Sequence, residues 1–200
     1  MPNVNGFQLT GFTINETLYT TPSTNVYRAT QESDQRSVIV RTCGDQASAS
    51  QLVRLSSSAE ILRSFEHPNI VKVLDVIDHA GQPCLVMPDT QSIALSHYLQ
   101  RLENQQLPLE HFLNIADQLA DALSVIHHAQ VIHKDLHPGN IIINPDTLNV
   151  QIIDFGLASL LSREQPTLAP PDNLEGVLSY MSPEQTGRMN RALDYRSDFY

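Results

Sequence analysis

The stretch "HKDLHPGNIIINPDTLNVQIIDFG" (residues 133–156) constrains this chain more than any other. Two short apolar runs, "IIIN" and "VQII", flank "NPDTLN", whose Asn, Pro and Asp residues favour a turn. Strand-like runs on either side of a turn read as a hairpin. At its open end stand Asn140, before the first run, and Asp154, after the second; Asp135 lies five residues before Asn140. Carboxylate and amide oxygens are the ligands magnesium prefers. A further carboxylate can orient an attacking hydroxyl and take its proton. Together these are the groups that phosphoryl transfer from ATP requires. Gly156 lets the chain leave the second strand sharply. The plainer reading of Asp135 is a turn residue ahead of Pro138.

The rest of the chain changes character near residues 88–92, at "PDTQS". Before it, "LYTTPSTNVYRATQ" (18–31) and "SVIVRTC" (37–43) are rich in β-branched residues and are joined by "ESDQR", a hairpin signal. In "ASASQLVRLSSSAEILRSF" (47–65), Leu55, Ala59 and Leu62 recur at helical spacing. "HPNIVKVLDVIDHAGQPCLVMPD" (67–89) reads as two strands turned at Ala80-Gly81-Gln82. After the change, residues 92–106 and 110–129 read as helices, the second with a stripe of Phe112, Ile115, Leu119, Leu123 and Ile126. A loop rich in Pro and polar residues is expected from the second hairpin strand to about residue 181.

At 200 residues, 41% hydrophobic and 17% charged, the chain can bury a real core. A net charge of −10 argues against a general nucleic-acid binder, which needs a basic face. It also argues against docking on anionic lipid. Cys43 and Cys84 both sit in apolar stretches and read as reduced thiols of a cytoplasmic protein. No apolar run reaches the length of a membrane span, and the first thirty residues carry no signal-peptide pattern. His127, His128, His133 and His137 lack zinc-ligand spacing and read as packing and hydrogen-bonding residues. Ser159, Ser162, Thr167 and Ser179 stand as phosphosite candidates beside the favoured reading of ordinary residues of a solvated loop.

The ordered set "HKDLHPGN", then "DFG" beginning fourteen residues after Asn140, then "SPE" (182–184) and "SDFY" (197–200), resembles the carboxy-terminal lobe of a protein kinase. "SVIVR" and "EHPNIV" extend the resemblance over nearly the whole chain. "LEGVLSYMSPEQTGRMNRALDYRSDFY" (174–200) is similar to the Ser/Thr kinase domain that opens large bacterial signalling proteins, in which an ATPase module, a GAF domain and a histidine kinase follow. The resemblance implies one bilobal α+β domain. Its amino-terminal lobe (1–89) would be an antiparallel sheet with one helix, its carboxy-terminal lobe (90–200) mainly helical and incomplete. It implies ATP and Mg2+ as cofactors, a protein substrate or signalling partner, and further carboxy-terminal domains. Asp135 would be the catalytic base, and Asn140 and Asp154 the magnesium ligands. His133 and Phe155 would stack with Leu62 and Val73, and Asp198 would hold the catalytic loop's backbone. Met87 would be the gatekeeper, with the backbone of Pro88 and Thr90 facing adenine. Val26 and Ile39 would lie over the ring and Ile142 beneath it.

Several positions depart from the family pattern. Tyr19, Thr21 and Thr24 stand where the phosphate loop carries glycine, and Pro22 removes an N–H. Arg41 replaces the lysine of the third strand, with different donor geometry. Ser58 occupies the place of that lysine's glutamate partner, Glu60 being two positions along. His137 replaces the lysine after the base, Val177 the threonine of the substrate-docking loop, and Ile39 an alanine over adenine. His137 and Arg41 join Asp135 as the groups on which catalysis would rest. An active Ser/Thr kinase of impaired activity is the first reading, a pseudokinase acting as a regulatory module the second. A small-molecule phosphotransferase, suggested by "DLHPGN" alone, is a distant third.

Overall fold

A computed structural model of the chain describes residues 7–103, 106–163, 176–186 and 192–200. Thr167, and residues 174–175 and 187–191 of the segment that carries the narrower resemblance, lie outside them. The chain forms two compact units. One comprises residues up to Ser64 together with Lys72–Gln91; the other comprises Phe65–Val71 and residues from Ser92 onward.

The first unit is a five-stranded antiparallel sheet with one helix. Its strands are β1 (Phe12–Thr20), β2 (Thr24–Gln31), β3 (Ser37–Cys43), β4 (Asp75–His79) and β5 (Gln82–Pro88), in the order β1-β2-β3-β5-β4. The β-branched stretch 18–31 is thus two strands, because Thr21-Pro22-Ser23 turns the chain. Thr21 N–H donates to the Thr24 carbonyl (2.8 Å), and Thr24 N–H donates to Thr21 Oγ1 (3.0 Å). Gln46 N–H holds the Pro22 carbonyl at 2.9 Å. Gly44 approaches so closely that an added Cβ would lie 2.5 Å from that same oxygen. The β4–β5 turn uses Ala80 and Gly81, both at positive φ. One face of the sheet buries Tyr27, Ala29, Val38, Val40, Cys84 and Val86 with Leu9, and Phe7 stacks flat on Tyr27. Cys43 and Cys84 are buried free thiols, and burial pushes both above the ordinary thiol range.

Helix α1 (Ala49–Arg63) starts with a capping box in which Ser48 and Gln51 satisfy each other's backbone N–H. Leu55, Ser58, Ala59 and Leu62 form its buried stripe.

In the second unit, β6 (Ile93–Ala94) precedes α2 (Leu95–Arg101) and α3 (Leu109–His128). Then come β7 (Val131–Ile132), the hairpin β8 (Ile141–Ile143) and β9 (Val150–Ile152), and β10 (Ser159–Leu160), which pairs with β7. The expected hairpin is present, and β6 extends it to three strands. The helix expected over 92–106 is shorter for that reason: Ile93 and Ala94 pair with Ile143 and Ile142. Ile115 packs with Leu95, Tyr98, Ile141, Ile143 and Val150. Phe112, expected on the same stripe, is 52% exposed beside exposed Leu109 and Leu113, because the packed sheet meets α3 only from Ile115 onward. Gln118 of α3 joins the elements: its Oε1 accepts from Asn69 Nδ2 (2.8 Å) and Val150 N–H (3.0 Å), and its Nε2 donates to the Leu148 carbonyl (3.0 Å). Among the described residues no helix is long and apolar enough to cross a membrane.

Asp89 anchors the end of β5. Its Oδ2 accepts from Ser37 Oγ and Arg28 Nε, both at 2.8 Å, and its Oδ1 accepts from Gln91 N–H at 3.0 Å. Arg28 also pairs with Glu16 across the β1–β2 hairpin. Burial pushes the Asp89 carboxyl up, but the bonds from Ser37, Gln91 and Arg28 outweigh it and hold the group below the usual carboxylate range.

Two expectations follow. Gly44→Ala forces backbone against backbone, and should cost about 1–3 kcal/mol, the usual range for overpacking, in urea unfolding. A depressed folded-state pKa means that the Asp89 contribution is complete above the unfolded value of about 3.9 and is lost as pH falls through the lower folded value. Asp89→Asn should therefore destabilise the chain at pH 6 by about 1–3 kcal/mol, the range for hydrogen bonds to charged groups. That gap should narrow at the acid end of the same urea series.

Candidate active site

The loop between β7 and β8 is set by one buried carboxylate. Asp198 lies in a 3₁₀ turn (Tyr195–Phe199) whose start is capped by Asp194, and its side chain is 0% exposed. Oδ2 accepts the His133 N–H (2.9 Å) and His127 Nε2 (2.9 Å), and Oδ1 accepts the Lys134 N–H (2.8 Å). A buried charge needs such donors to offset its lost hydration. Asp198 thus holds the loop's backbone as its resemblance implied. His127, read from the sequence as a hydrogen-bonding residue, supplies the third donor.

The loop itself is strained. Lys134 (φ 68°) and Asp154 (φ 60°) adopt the left-handed conformation without being glycine, at a cost of roughly 1–2 kcal/mol each. His133 is fully buried and fixed at both ring nitrogens: Nε2 donates to the Ile153 carbonyl (3.0 Å), and Nδ1 accepts the Asp135 N–H (3.3 Å). Its ring meets Phe155 edge to face, with centroids 4.8 Å apart, and Phe65 packs on Phe155 at 5.9 Å. Leu62 and Val73, expected in the same stack, are buried in the first unit.

Asp135 is oriented from two sides. Asn140 Nδ2 donates to its Oδ2 and to its backbone carbonyl, each at 2.9 Å. Its Oδ1 accepts the Val177 N–H at 3.4 Å. Gly176 (φ 110°) makes this approach possible, since a Cβ there would lie 2.7 Å from Oδ1. His137 Nδ1 accepts the Gly139 N–H (3.0 Å), leaving Nε2 to face Asp135 Oδ2 at 3.8 Å, and Tyr180 stacks on the imidazole (5.8 Å). The lysine and threonine positions of the family pattern are therefore filled by an imidazole and a backbone N–H.

The cation-binding candidates are adjacent. Ile153 N–H donates to the Asn140 carbonyl (2.9 Å), which fixes the residue before Asp154 against Asn140. With Asn140 Nδ2 committed to Asp135, its oxygen is the atom a cation would take. Asp154 Oδ1 accepts the Gly156 N–H (3.2 Å). Among the described residues no group of three or more His, Cys, Asp or Glu could hold a metal alone. One carboxylate and one amide oxygen fit magnesium that shares the rest of its shell with phosphate and water.

The remaining expected residues fall as follows. Val26 pairs with Arg41, and Ile39 pairs with Met87, in the strand register. Because Ile39 and Arg41 are two apart, all four share the sheet face opposite the Tyr27–Val40 cluster. Pro88 ends β5, and Thr90 lies in the segment anchored by Asp89. Ile142 sits in β8 of the second unit, opposite Gln151. Ser58 is fully buried and donates to its own helix, at the Leu55 carbonyl (2.8 Å).

Sequence reasoning missed Gln185. Its Oε1 accepts both the N–H and the hydroxyl of Ser182 (3.0 Å each), and its Nε2 donates to the Lys134 carbonyl (2.6 Å). Nothing in a lone Gln after "SPE" signals this. Glu184 accepts from Ser197 Oγ (2.8 Å).

A two-unit chain with an antiparallel sheet, and an Asp-x4-Asn loop held by a buried aspartate, is the architecture of a protein kinase. Residues 14–200 match the family described as protein kinase domain, and the chain belongs to it. It is 31% identical over 163 residues to the serine/threonine-protein kinase PrkC of Bacillus subtilis, covering 80% of this chain and 24% of that protein. Over 186 residues it is 33% identical to the DNA damage-responsive serine/threonine-protein kinase RqkA of Deinococcus radiodurans (89% of this chain, 26% of that one). Over 183 residues it is 31% identical to the serine/threonine-protein kinase pkn2 of Myxococcus xanthus (88% and 21%). The chain spans about a quarter of the length of these relatives.

Asp198→Asn leaves one oxygen where three donors now share two. It should cost about 1–3 kcal/mol, read as a lower urea midpoint, with faster amide exchange at His133 and Lys134.

Proposed function

We propose that this chain is a Mg2+- and ATP-dependent Ser/Thr protein kinase domain of low turnover, part of a larger cytoplasmic bacterial signalling protein with further carboxy-terminal domains. The observation that carries the reading is the Asp135 carboxylate, with Oδ2 held by Asn140 beside Asp154. Asp135 orients the hydroxyl of a protein substrate and takes its proton as the oxygen attacks. Asn140 Oδ1 and Asp154 hold magnesium. On the first unit, the face shared by Val26, Ile39, Arg41 and Met87, with the backbone of Pro88 and Thr90, suits adenine and one phosphate. When bound, Mg-ATP supplies the phosphoryl group and the charge neutralisation of its transfer. On the second unit, the resemblance assigns Ile142 to adenine as well. His137 offers an Nε2 donor beside Asp135. The acidic chain suits a protein partner rather than nucleic acid.

Low turnover is supported by what surrounds these groups. Single preorganised groups that stabilise developing charge are often worth about 10²–10³ in rate. Here the β1–β2 turn contains no glycine, and the Pro22 carbonyl is tied to Gln46. Ser58 stands where the family pattern carries a glutamate, and its hydroxyl is satisfied within its own helix. The same observations favour the second reading, a pseudokinase acting as a regulatory module.

Phosphotransfer from labelled ATP, measured with and without magnesium on the full-length protein, separates the two. Asp135→Asn should abolish whatever transfer is seen, and Arg41→Lys should raise it or leave it unchanged. Full activity in Asp135→Asn sinks the assignment of the base. A robust activity abolished by Arg41→Lys would make the arginine an adapted group and end the reading of a weakened site.

A further inference from the structure

Lys134 takes a conformation that an L-residue with a side chain resists, and it does so one residue before Asp135. Such strain persists only where the surroundings over-determine it. The Lys134 N–H is held by Asp198. The peptide group that joins Lys134 to Asp135 is held at both edges: its N–H donates to His133 Nδ1 at 3.3 Å, and its oxygen accepts from Gln185 Nε2 at 2.6 Å. The amide of Gln185 has only one orientation that fits. Ser182, 1% exposed, presents two donors, its N–H and its hydroxyl, and both require the Gln185 oxygen. The NH₂ group is therefore left for the Lys134 carbonyl.

We propose that Gln185 is a positioning residue for Asp135, which it fixes through the Lys134–Asp135 peptide; the proposal rests on the reading of Asp135 as a phosphotransfer base. It also accounts for how the segment 176–186 stays registered on the loop. That segment delivers the Val177 N–H to Asp135 Oδ1, and this contact, at 3.4 Å, is long. The Gln185 bond is the shorter of the two and lies at the segment's other end. A base aimed by both contacts faces the segment that a substrate hydroxyl would approach. With the Gln185 limb cut, the peptide can rotate away from its strained geometry and carry the carboxylate with it. Misplacement on the order of 1 Å is enough to cost about 10²-fold in rate.

The plainer alternative is that Gln185 only caps the turn it sits in, where its own N–H meets the Ser182 carbonyl at 3.0 Å. Two variants of the full-length protein distinguish them. Gln185→Glu keeps an oxygen for Ser182 and removes the donor to Lys134. Gln185→Met keeps the length and removes both. The measurements are kcat and KM for Mg-ATP with myelin basic protein as the phosphate acceptor, and hydrogen exchange at the Lys134 and Asp135 amides, with α3 as internal reference. We expect kcat to fall about 10- to 100-fold in both variants, with KM for ATP within about twofold. We expect exchange at Lys134 and Asp135 to quicken while α3 is unchanged. A kcat within about twofold of the parent in both variants overturns the proposal. So does exchange that rises equally in α3, which would mark Gln185 as a stabiliser of the fold alone. If the parent protein transfers no phosphate, the proposed function falls, and local exchange alone decides whether Gln185 fixes the Lys134–Asp135 peptide.

Discussion

The buried carboxylate of Asp198 is the constraint on which the second unit turns. It satisfies two consecutive backbone N–H groups, His133 and Lys134, and the ring of His127, and no solvent shares the work. Two successive N–H groups can point at one acceptor only if the chain between them bends sharply, and Lys134 pays with a left-handed φ. That bend turns the chain out of β7, so that Asp135 begins the loop leading to β8. His133 then closes the arrangement from the inside, because its ring bonds both the Asp135 N–H and the Ile153 carbonyl. The carboxylate that would do chemistry is thus oriented by one that does none.

The two units depart from the family pattern in different physical ways. In the second, a replaced residue is compensated: a backbone N–H stands for a threonine hydroxyl at Asp135. That exchange keeps a donor opposite a carboxylate. In the first, the replacements are closed off. Ser58 returns its hydroxyl to the helix, and the β1–β2 turn spends its polar groups on itself and on Gln46. A Thr-Pro-Ser-Thr turn with its own hydrogen bonds is a stable hairpin end, and it has fewer N–H groups to offer an anion than a glycine-rich loop has.

What was legible in the sequence was what local periodicity and turn chemistry decide. The β8–β9 hairpin, the β4–β5 turn and the α1 stripe are written in apolar spacing and in Asn, Pro, Asp and Gly at the turns. The stretch 18–31 reads as continuous because Thr is at home both in strands and in this turn; the Thr21–Thr24 bonds and the Gln46 bond to the Pro22 carbonyl make the break visible. Phe112 fits the helical stripe as well as Ile115 does. Its exposure depends on where the three-stranded sheet stops, which no property of the helix records.

The residues that were not legible share one feature: their partners lie far along the chain. Gln185 reaches the backbone carbonyl of residue 134, and Asp89 reaches the side chains of Ser37 and Arg28. A side chain that reads a catalytic group can be inferred from chemistry, because the reaction dictates its type. A side chain that reads a peptide carbonyl cannot, because every residue has one. Glu, Gln, Ser and Thr would look alike at position 185 until the partner is known. Ser182 removes that ambiguity in three dimensions. By demanding an oxygen with both of its donors, it leaves the other end of the amide as a donor, aimed at the carbonyl of strained Lys134, in the peptide that leads into Asp135.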